Sequence, residues 1–441
     1  MISPDPTYRD RLNERKADCF RRAGQTVERV LDAKRAVLQL IGKWDQAMRT
    51  AEKCLELAES LDNREKKAKS LSLIGSIHRA RGNYDQALDC SLKALALREE
   101  LGCREDQAAS LNSIGITHDE RGDYALALEV YGKALAIFEE TGELRGQAAS
   151  LNNIGLVHRA LGDNSRALEN YRRSAELLGA IGDRPGQAAC LHNIGSIHRA
   201  CGEYGLALEH FERSLKISEE IGDRRGQANN QTTIGAVHYE RGEFKEALEH
   251  YRKALKTREE IGDRRGQAFS LNSIGETLVE CGDHDQALDS LERSLAIQQE
   301  MGFKTLRCST MCELAKVWIH RRQFDRAREF IDSGMVFARE LKSPADEAGC
   351  HSAYGLFYDE QKDFGQAAEC FENALACLEK LGQKNELAPV LLDYGKMQGA
   401  SGQREKGLEL INRAAALFKD MKLEYWVKKA YEAAQELGAK G

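Results

Sequence analysis

Apolar and polar residues along this chain alternate with the period of an amphipathic helix, and the helical segments come in pairs. Residues 144–182 show one such pair, two runs with apolar residues at three-and-four spacing that are separated by the tetrapeptide LGDN. The apolar positions are Ala148, Leu151, Ile154 and Val157 in the first run and Ala167, Leu168, Tyr171, Ala175 and Leu178 in the second. The pattern predicts a helical hairpin.

The hairpin pattern recurs with a period of 40 residues. One series of small residues is Gly75, Gly115, Gly155, Gly195, Gly235, Gly275, Gly355 and Gly395, with Ala315 at the missing point. A second is Gly42, Gly82, Gly122, Gly162, Gly202, Gly242, Gly282 and Gly402. A third is Ala47, Ala87, Ala127, Ala167, Ala207, Ala247, Ala287, Ala327 and Ala367. Self-similarity at a fixed period is the signature of a solenoid, so the sequence predicts an all-α array of stacked hairpins.

The two glycine series have different predicted roles. Gly155 lies inside a first helix, where a missing side chain lets the second helix approach closely, against a propensity cost of roughly 1 kcal/mol. Gly162 ends that helix, as glycine commonly does at a helix C-terminus.

The heptapeptide GDRRGQA, at 222–228 and again at 262–268, is predicted to be a joint between hairpins. Gly222 stops one helix, Asp223 caps the next, and Gln227 is at its start. A phosphate-binding loop would instead follow a strand, occur once and carry Lys-Ser or Lys-Thr. The paired arginines of the joint are expected to be solvated or paired with the preceding glutamate run.

Composition supports a helical protein and excludes several other classes. The chain has 441 residues, five prolines, 42% hydrophobic and 30% charged residues. A net charge of −6 argues against general nucleic-acid binding, which usually needs an excess of Lys and Arg. The N-terminal residues lack the apolar core of a signal peptide, and no apolar run is long enough to cross a bilayer. We therefore expect a cytoplasmic protein with no membrane association.

Neither the cysteines nor the histidines are expected to bind a metal ion. The twelve cysteines are expected to be reduced, and the closest group, Cys308, Cys312 and Cys350, has no histidine at ligand spacing, which favours core packing. Five histidines repeat along the array at His78, His118, His158, His198 and His238. Successive repeats should separate them by about 10 Å, too far to share one ion. They are expected to pack between helices and bond a neighbouring turn, with pH sensing as the alternative. No metal and no cofactor is predicted.

The order of residues within one unit resembles the tetratricopeptide repeat. An Ile-Gly pair is followed by His, then by G-x-Y/F-x-x-A-L, an aromatic residue and a second Ala-Leu pair. In one unit these are Ile114, Gly115, His118, Gly122, Tyr124, Ala127, Leu128, Tyr131, Ala134 and Leu135. The 40-residue unit is similar to the Leu-Gly-Asn adaptors, to kinesin light chains and to prokaryotic arrays that are often fused to ATPase or caspase-like domains.

The resemblance implies a right-handed superhelical solenoid of about ten hairpins with a C-terminal capping helix. The expected layout is an N-terminal cap or flexible segment at 1–23, seven repeats at 24–303, three degenerate repeats at 304–421 and the capping helix at 422–441. In the capping helix Tyr425, Trp426 and Tyr431 are expected to face inward.

The resemblance also implies that the first helices line a concave, peptide-binding groove. The candidate groove residues are Ser72, Arg79, Asn112, Asp119, Asn152, Leu156, Arg159, His192, Asn193, Ser196, Arg199, Thr232, Tyr239, Asn272 and Glu276. A carboxamide both donates and accepts, so the asparagines are suited to the backbone of an extended peptide. Arg79, Arg159 and Arg199 would add contacts to acidic groups, which suggests a ligand that is acidic in part.

Three functions are compatible with these residues. The first is a non-enzymatic scaffold that binds a peptide or partner protein, since no unique nucleophile-base constellation stands outside the repeat. The second is a regulatory or sensor subunit of a prokaryotic signalling or defence effector. The third is a chaperone adaptor whose carboxylate clamp would use Asn152, Asn153, Asn193, Arg159 and Arg199. A monomer or a homodimer is expected.

Overall fold

A computed structural model describes residues 44–304 and 306–439, and in this part the chain is a succession of helices without a strand. The predicted N-terminal segment 1–23 and the first half of the first repeat, residues 24–43, lie outside the described residues. The helices are α1 (Trp44–Ser60), α2 (Arg64–Ala80), α3 (Tyr84–Glu100), α4 (Arg104–Arg121), α5 (Tyr124–Thr141), α6 (Leu144–Ala160), α7 (Asn164–Ala180), α8 (Arg184–Ala200), α9 (Tyr204–Glu220), α10 (Arg224–Glu240), α11 (Phe244–Glu260), α12 (Arg264–Glu280), α13 (His284–Glu300), α14 (Arg307–His320), α15 (Phe324–Glu340), α16 (Pro344–Glu360), α17 (Phe364–Leu381), α18 (Lys384–Ala400), α19 (Arg404–Asp420) and α20 (Glu424–Ala439).

Even-numbered helices are the first helices of the hairpins and odd-numbered helices the second, so the predicted helical-repeat solenoid is confirmed. The chain divides into two compact units, residues up to Cys190 and residues from Leu191 onward, and the division falls within α8. No helix in the described ranges has the length and apolar character to span a membrane.

A residue in the left-handed region ends the helices at every twentieth position. Gly162 (φ 79°) and Gly222 (φ 71°) take this conformation and confirm the predicted helix stops. Where the sequence lacks glycine at this position, the backbone conformation is kept by Asp62, Arg322, Lys342, Lys362 and Lys422. The packing of the hairpins therefore dictates the turn geometry even where the local sequence disfavours it.

The joint GDRRGQA ties each helix end to the next helix start. The Asp223 side chain accepts a hydrogen bond from the Gly226 N–H at 3.0 Å, which confirms the predicted N-cap. The Ser218 carbonyl of the preceding helix accepts the Asp223 N–H at 2.8 Å and the Gln227 side chain at 3.1 Å. The joint is thus a mutual cap of two helices.

The first arginine of each joint has a different partner from the one expected. Arg224 pairs with Glu260 and Arg264 pairs with Glu300, in each case at the far end of the second helix of the same hairpin. The expectation of pairing with the preceding glutamate run is wrong, because the hairpin brings the start of its first helix beside the end of its second.

The helix-interior glycines permit close contact within each hairpin. A Cβ built on Gly155 would lie 2.7 Å from Cε1 of Tyr171, a ring that is fully buried. The same relationship joins Gly115 to Tyr131 and Gly195 to Phe211. Alanines of the 40-residue series from Ala47 to Ala367 are all fully buried, so small residues occupy the centre of each hairpin.

In the unit from Leu191 onward, the last helix returns to an early hairpin. The Trp426 ring lies 5.9 Å from the Tyr239 ring, and Tyr425 lies 5.3 Å from Phe244. Lys429 bonds the Glu280 carboxylate at 2.7 Å, although 149 residues separate them. The repeats of this unit therefore curve until α20 meets α10, α11 and α12.

The prediction for the capping helix holds for two of its three aromatic residues. Tyr425 and Trp426 make the contacts above, but Tyr431 is 49% exposed. The buried face of α20 is marked by Trp426 and the fully buried Ala430, four residues apart. Tyr431 lies about 100° around the helix from Ala430, which turns its ring toward solvent.

Candidate binding surface on the first helices

First helices of the unit from Leu191 onward surround a cavity of about 440 Å³. Helices α10, α12, α14, α16 and α18 contribute almost all of the lining, because each hairpin directs its first helix toward this side. The side chains that give the cavity its chemical character are Tyr239, Glu276, Glu313, Lys316, Asp346, Glu386 and Asp393. Two of them, Tyr239 and Glu276, are among the residues predicted from the sequence.

The cavity carries more negative than positive charge. Its lining includes five carboxylates and one ammonium group, that of Lys316, which lies 2.7 Å from Glu313. Burial, reinforced by the nearby Glu313 charge, raises the pKa of Glu276 to about 7. Burial also raises the pKa of Asp393. The ionised form of such buried carboxyl groups is stabilised when a cation enters the cavity.

Tyr239 lines the cavity, and its ring also packs against α20. Its ring packs on Phe244 at 5.5 Å as well as on Trp426, and burial raises the pKa of its hydroxyl well above the usual value. Lys429 stands over the Trp426 ring at 4.8 Å. The C-terminal helix therefore packs against one of the residues that line the cavity.

The predicted asparagine positions join neighbouring first helices. Asn112 accepts a hydrogen bond from Ser150 at 3.1 Å, and Asn152 accepts one from the Cys190 thiol at 3.9 Å. In the second unit, Asn272 accepts from Thr310 at 2.8 Å. Each bond uses the side-chain oxygen and leaves the peptide-binding role of these residues a prediction.

His192 takes the asparagine position in its repeat and has the same type of partner. Its Nδ1 lies 2.9 Å from the Asn230 side-chain oxygen, to which it donates. Asn230 in turn donates to Ser214 at 3.0 Å. The bond between successive first helices is thus a recurring structural feature that several residue pairs can supply.

Two of the three predicted groove arginines are held in ion pairs. Arg79 pairs with Glu120, and Arg199 places Nε and Nη2 at 2.9 and 2.6 Å from Glu240. Arg159 is exposed. Since an arginine already paired with glutamate has fewer donors for a ligand carboxylate, the expectation of an acidic ligand rests mainly on Arg159.

The remaining predicted groove residues are partly buried on the first helices. Ser196 and Thr232 donate their hydroxyls to carbonyls of their own helices, to His192 at 2.9 Å and to Ala228 at 2.9 Å. The others in this class are Ser72, Asp119, Leu156 and Asn193. Burial raises the pKa of Asp119. The structure thus brings Tyr239 and Glu276 into one cavity and distributes the other candidates along the two units.

Sequence reasoning missed Glu313 and Asp393, although the repeat contains a signal for both. They occupy the position two residues before the interior glycine series, where other repeats carry Ser113, Asn153 or Ser273. An acidic residue in place of a small or amide residue on an otherwise regular face is detectable from the sequence. Asn193 holds this position in its repeat and is among the predicted residues, but the predicted series ends at Glu276, before Glu313 and Asp393.

Three of the repeated histidines make the expected contact with a turn. His198 and His238 place Nδ1 at 2.6 Å from Glu203 and Glu243, five residues on, and His118 approaches Asp123 at 3.5 Å. In the described ranges the one group with metal-ligand proximity consists of Cys308, Cys312 and Cys350.

Comparison with known proteins agrees with this architecture. The tetratricopeptide repeat model matches six overlapping segments, at residues 36–100, 66–140, 106–180, 146–220, 186–260 and 226–300. A search of curated protein sequences gives no significant match.

Several solved structures share the fold at low identity. Aspartyl phosphate phosphatase F from Bacillus subtilis aligns with a TM-score of 0.57 and 13% identity over 78% of this chain and 91% of its own. The apo quorum sensor NprR from B. thuringiensis gives 0.53 and 18% over 78% and 99%. A signal transduction ATPase with a tetratricopeptide repeat sensor from Pyrococcus horikoshii gives 0.52 and 13% over 79% and 54%. At these identities the likeness concerns the fold alone. Since the family model matches well over half of the sequence, the chain belongs to the tetratricopeptide repeat family.

Proposed function

We propose that this protein is a non-catalytic binding protein whose first helices, in the unit from Leu191 onward, hold a peptide segment of a partner. The observation that carries the proposal is the cavity bounded by Tyr239, Glu276, Glu313, Lys316 and Asp393. Its charged side chains are withdrawn from bulk water without an equal number of countercharges in the lining. Such an arrangement costs folding free energy and is common where a ligand completes the site.

The chemistry of the cavity favours a segment with a lysine, an arginine or a free amino group. Five carboxylates face one ammonium group, so an entering cation removes repulsion among the acids. The Tyr239 ring offers an apolar and π-bearing wall for the methylene stem and the charge of such a side chain. Lys316 also lines the cavity, and its ammonium group suits a carbonyl oxygen of the ligand backbone.

This ligand differs from the acidic segment expected from Arg79, Arg159 and Arg199. Because Arg79 and Arg199 already hold glutamates, the acidic contact remains a prediction centred on Arg159, in the unit that ends at Cys190. The cationic segment is proposed for the cavity of the other unit.

A regulatory role is the second candidate, and the contact between α20 and α10 favours it. A ligand that displaces or tightens the Trp426–Tyr239 contact would change the curvature of this unit and so alter a distant surface. Two of the similar structures are a quorum sensor and a signal transduction ATPase with a tetratricopeptide repeat sensor. For this chain the sensor function remains a proposal.

The test is a selection from a random peptide library on the immobilised full-length protein. We expect enrichment of peptides with Lys or Arg on the wild type and loss of that enrichment on a Glu313→Gln, Asp393→Asn double variant. The double variant removes two cavity charges and keeps the shapes of both side chains.

The matched control is a Glu209→Gln, Asp289→Asn double variant, which removes two equivalent charges from exposed second-helix positions. It should enrich the same peptides as the wild type. Equal enrichment on both double variants, or enrichment of acidic peptides on the wild type, would contradict the proposed ligand. Circular dichroism spectra of all variants serve as the control for unchanged helical content.

A further inference from the structure

Three buried thiols converge between α14, α15 and α16. The Cys350 sulfur lies 3.5 Å from that of Cys308 and 3.7 Å from that of Cys312, and all three sulfurs lie within 4.8 Å of one another. Their exposed fractions are 2% for Cys308, 6% for Cys312 and 0% for Cys350. None of them is in a disulfide.

The repeats themselves show what these positions normally hold. Cys308 stands where the other first helices carry a fully buried alanine, such as Ala268 or Ala148. Cys312 stands at the position of Asn272, and Cys350 at that of Thr310. The sulfur pair Cys312 and Cys350 therefore replaces the hydrogen bond that links neighbouring first helices elsewhere.

A fourth departure from the repeat makes room for the sulfurs. Gly334 on α15 stands where other second helices carry alanine or serine, for example Ala254 or Ser294. A Cβ at this position would lie 3.2 Å from the Cys350 sulfur and 3.8 Å from the Cys308 sulfur. Four departures from the repeat therefore meet at one place and build a cluster of three sulfurs. Chance filling of the core with small residues would not bring all four together.

We propose that Cys308, Cys312 and Cys350 form a binding site for a thiophilic metal ion of the Zn(II), Cd(II) or Cu(I) class. With metal–sulfur bonds of about 2.3 Å, tetrahedral coordination places ligand sulfurs ~3.8 Å apart, and trigonal coordination ~4.0 Å apart. The two sulfur separations of 3.5 and 3.7 Å need only small adjustments to reach either value.

The cavity described above gives an ion access to the cluster. Cys308 and Cys312 line it, and so does the Asp346 side chain. A tetrahedral ion would take a water molecule as its fourth ligand, whereas a trigonal Cu(I) ion needs the three sulfurs alone. Binding converts three thiols into thiolates and releases their three protons to solvent, so affinity falls as the pH is lowered.

The experiment is an anaerobic titration of the reduced full-length protein with Cd(II), followed by the thiolate-to-cadmium absorbance. Zn(II) is measured by competition with a chelator, and Cu(I) is titrated separately. We expect one ion per chain, and a rise of the melting temperature with metal concentration.

The decisive variant restores the residues of the other repeats through Cys308→Ala, Cys312→Asn and Cys350→Thr. Because each of these residues already occurs at the equivalent position of a folded repeat, the variant should retain its helical content. It should lose the absorbance band and bind metal more than about 100-fold more weakly, beyond the effect typical of outer ligands. Cys190→Ser, at another buried cysteine whose equivalent is Ser150, should bind like the wild type.

The proposal is overturned by either of two results. One is metal binding that is unchanged in the triple variant. The other is absence of stoichiometric binding by the reduced wild type, including the case in which mass spectrometry shows a disulfide as the stable form of two of the three thiols.

Discussion

The Thr310 hydroxyl donates to the Asn272 side-chain oxygen at 2.8 Å and thereby joins α14 to α12. Gln298 donates to the same hydroxyl at 2.8 Å, and the Asn272 amide donates to Glu276 at 2.6 Å. Asn272 is only 3% exposed. It therefore connects a polar network inside the hairpins to an acidic side chain of the cavity.

Replacement of Asn272 by alanine is expected to destabilise the fold by roughly 1–3 kcal/mol, because the Thr310 hydroxyl loses its acceptor and Glu276 loses its donor. The measurement is chemical unfolding followed by circular dichroism. Ser273→Ala, one residue along the same helix on a more exposed face, should change the free energy of unfolding by less than about 0.5 kcal/mol. Equal effects of the two substitutions would show that the hydrogen bonds of Asn272 add no stability beyond that of the neighbouring helix position.

Gly155→Ala is expected to destabilise the protein, because the new Cβ would meet the buried Tyr171 ring. The steric cost of roughly 1–3 kcal/mol exceeds the helix-propensity gain of about 1 kcal/mol. Gly132→Ala is the matched control, since a Cβ there meets nothing within 4 Å. That variant should be more stable than the wild type, and thermal unfolding of both distinguishes crowding from propensity.

The regular part of this fold is predictable because the same sequence pattern recurs in each repeat. Gly155, Gly162 and Asp223 have the roles inferred from the sequence, since their effects depend on contacts within one hairpin or one joint. The partner of Arg224 was misjudged because it depends on how the two helices of a hairpin run side by side. The contact of Trp426 with Tyr239 depends on curvature summed over several repeats, and no local pattern encodes it.

Glu276→Gln is expected to stabilise the folded protein at pH 8 and to have no effect at pH 4. The folded-state pKa of Glu276 is about 7, above the ordinary value of 4.5. An acid with a raised pKa destabilises the fold as the pH rises through the window between these values, and glutamine removes that penalty. The gain should be of the order of 1–3 kcal/mol.

Melting temperatures at the two pH values measure this effect, with Glu209→Gln as the control at an exposed position of a second helix. Stabilisation of the Glu276 variant that persists at pH 4 would show a cause other than ionisation. The same variant should bind cationic peptides more weakly than the wild type. The substitution that stabilises the fold also removes a negative charge that attracts the ligand cation.

Trp426→Ala is expected to increase amide hydrogen exchange in α20 and in the segment from Tyr239 to Phe244. The indole ring contacts both aromatic residues, so its loss weakens the connection between α20 and the early hairpin. Tyr431→Ala removes an exposed ring from the same helix and should leave exchange near Tyr239 unchanged. Protection at Tyr239 that is unaffected by loss of Trp426 would refute a coupling between these helices.

The candidate site was predictable only in part. Tyr239 and Glu276 were found because they occupy face positions of a first helix. Glu313 and Asp393 each lie one residue after a face position of their first helices. Whether such a residue faces the groove or the neighbouring helix depends on the tilt of neighbouring hairpins. The asparagine positions show the converse, since a residue that suits a peptide backbone equally suits the adjacent first helix.

The most direct test of the account is a double-mutant cycle between the cavity and its ligand, measured by calorimetry. The peptide bound most tightly in the library selection is compared with its lysine-to-norleucine version, on the wild type and on Glu313→Gln. The account predicts a coupling free energy of about 1–3 kcal/mol between the ligand cation and the carboxylate. Additive effects, with coupling near zero, would contradict the assignment of this cavity as a site for a cationic peptide segment.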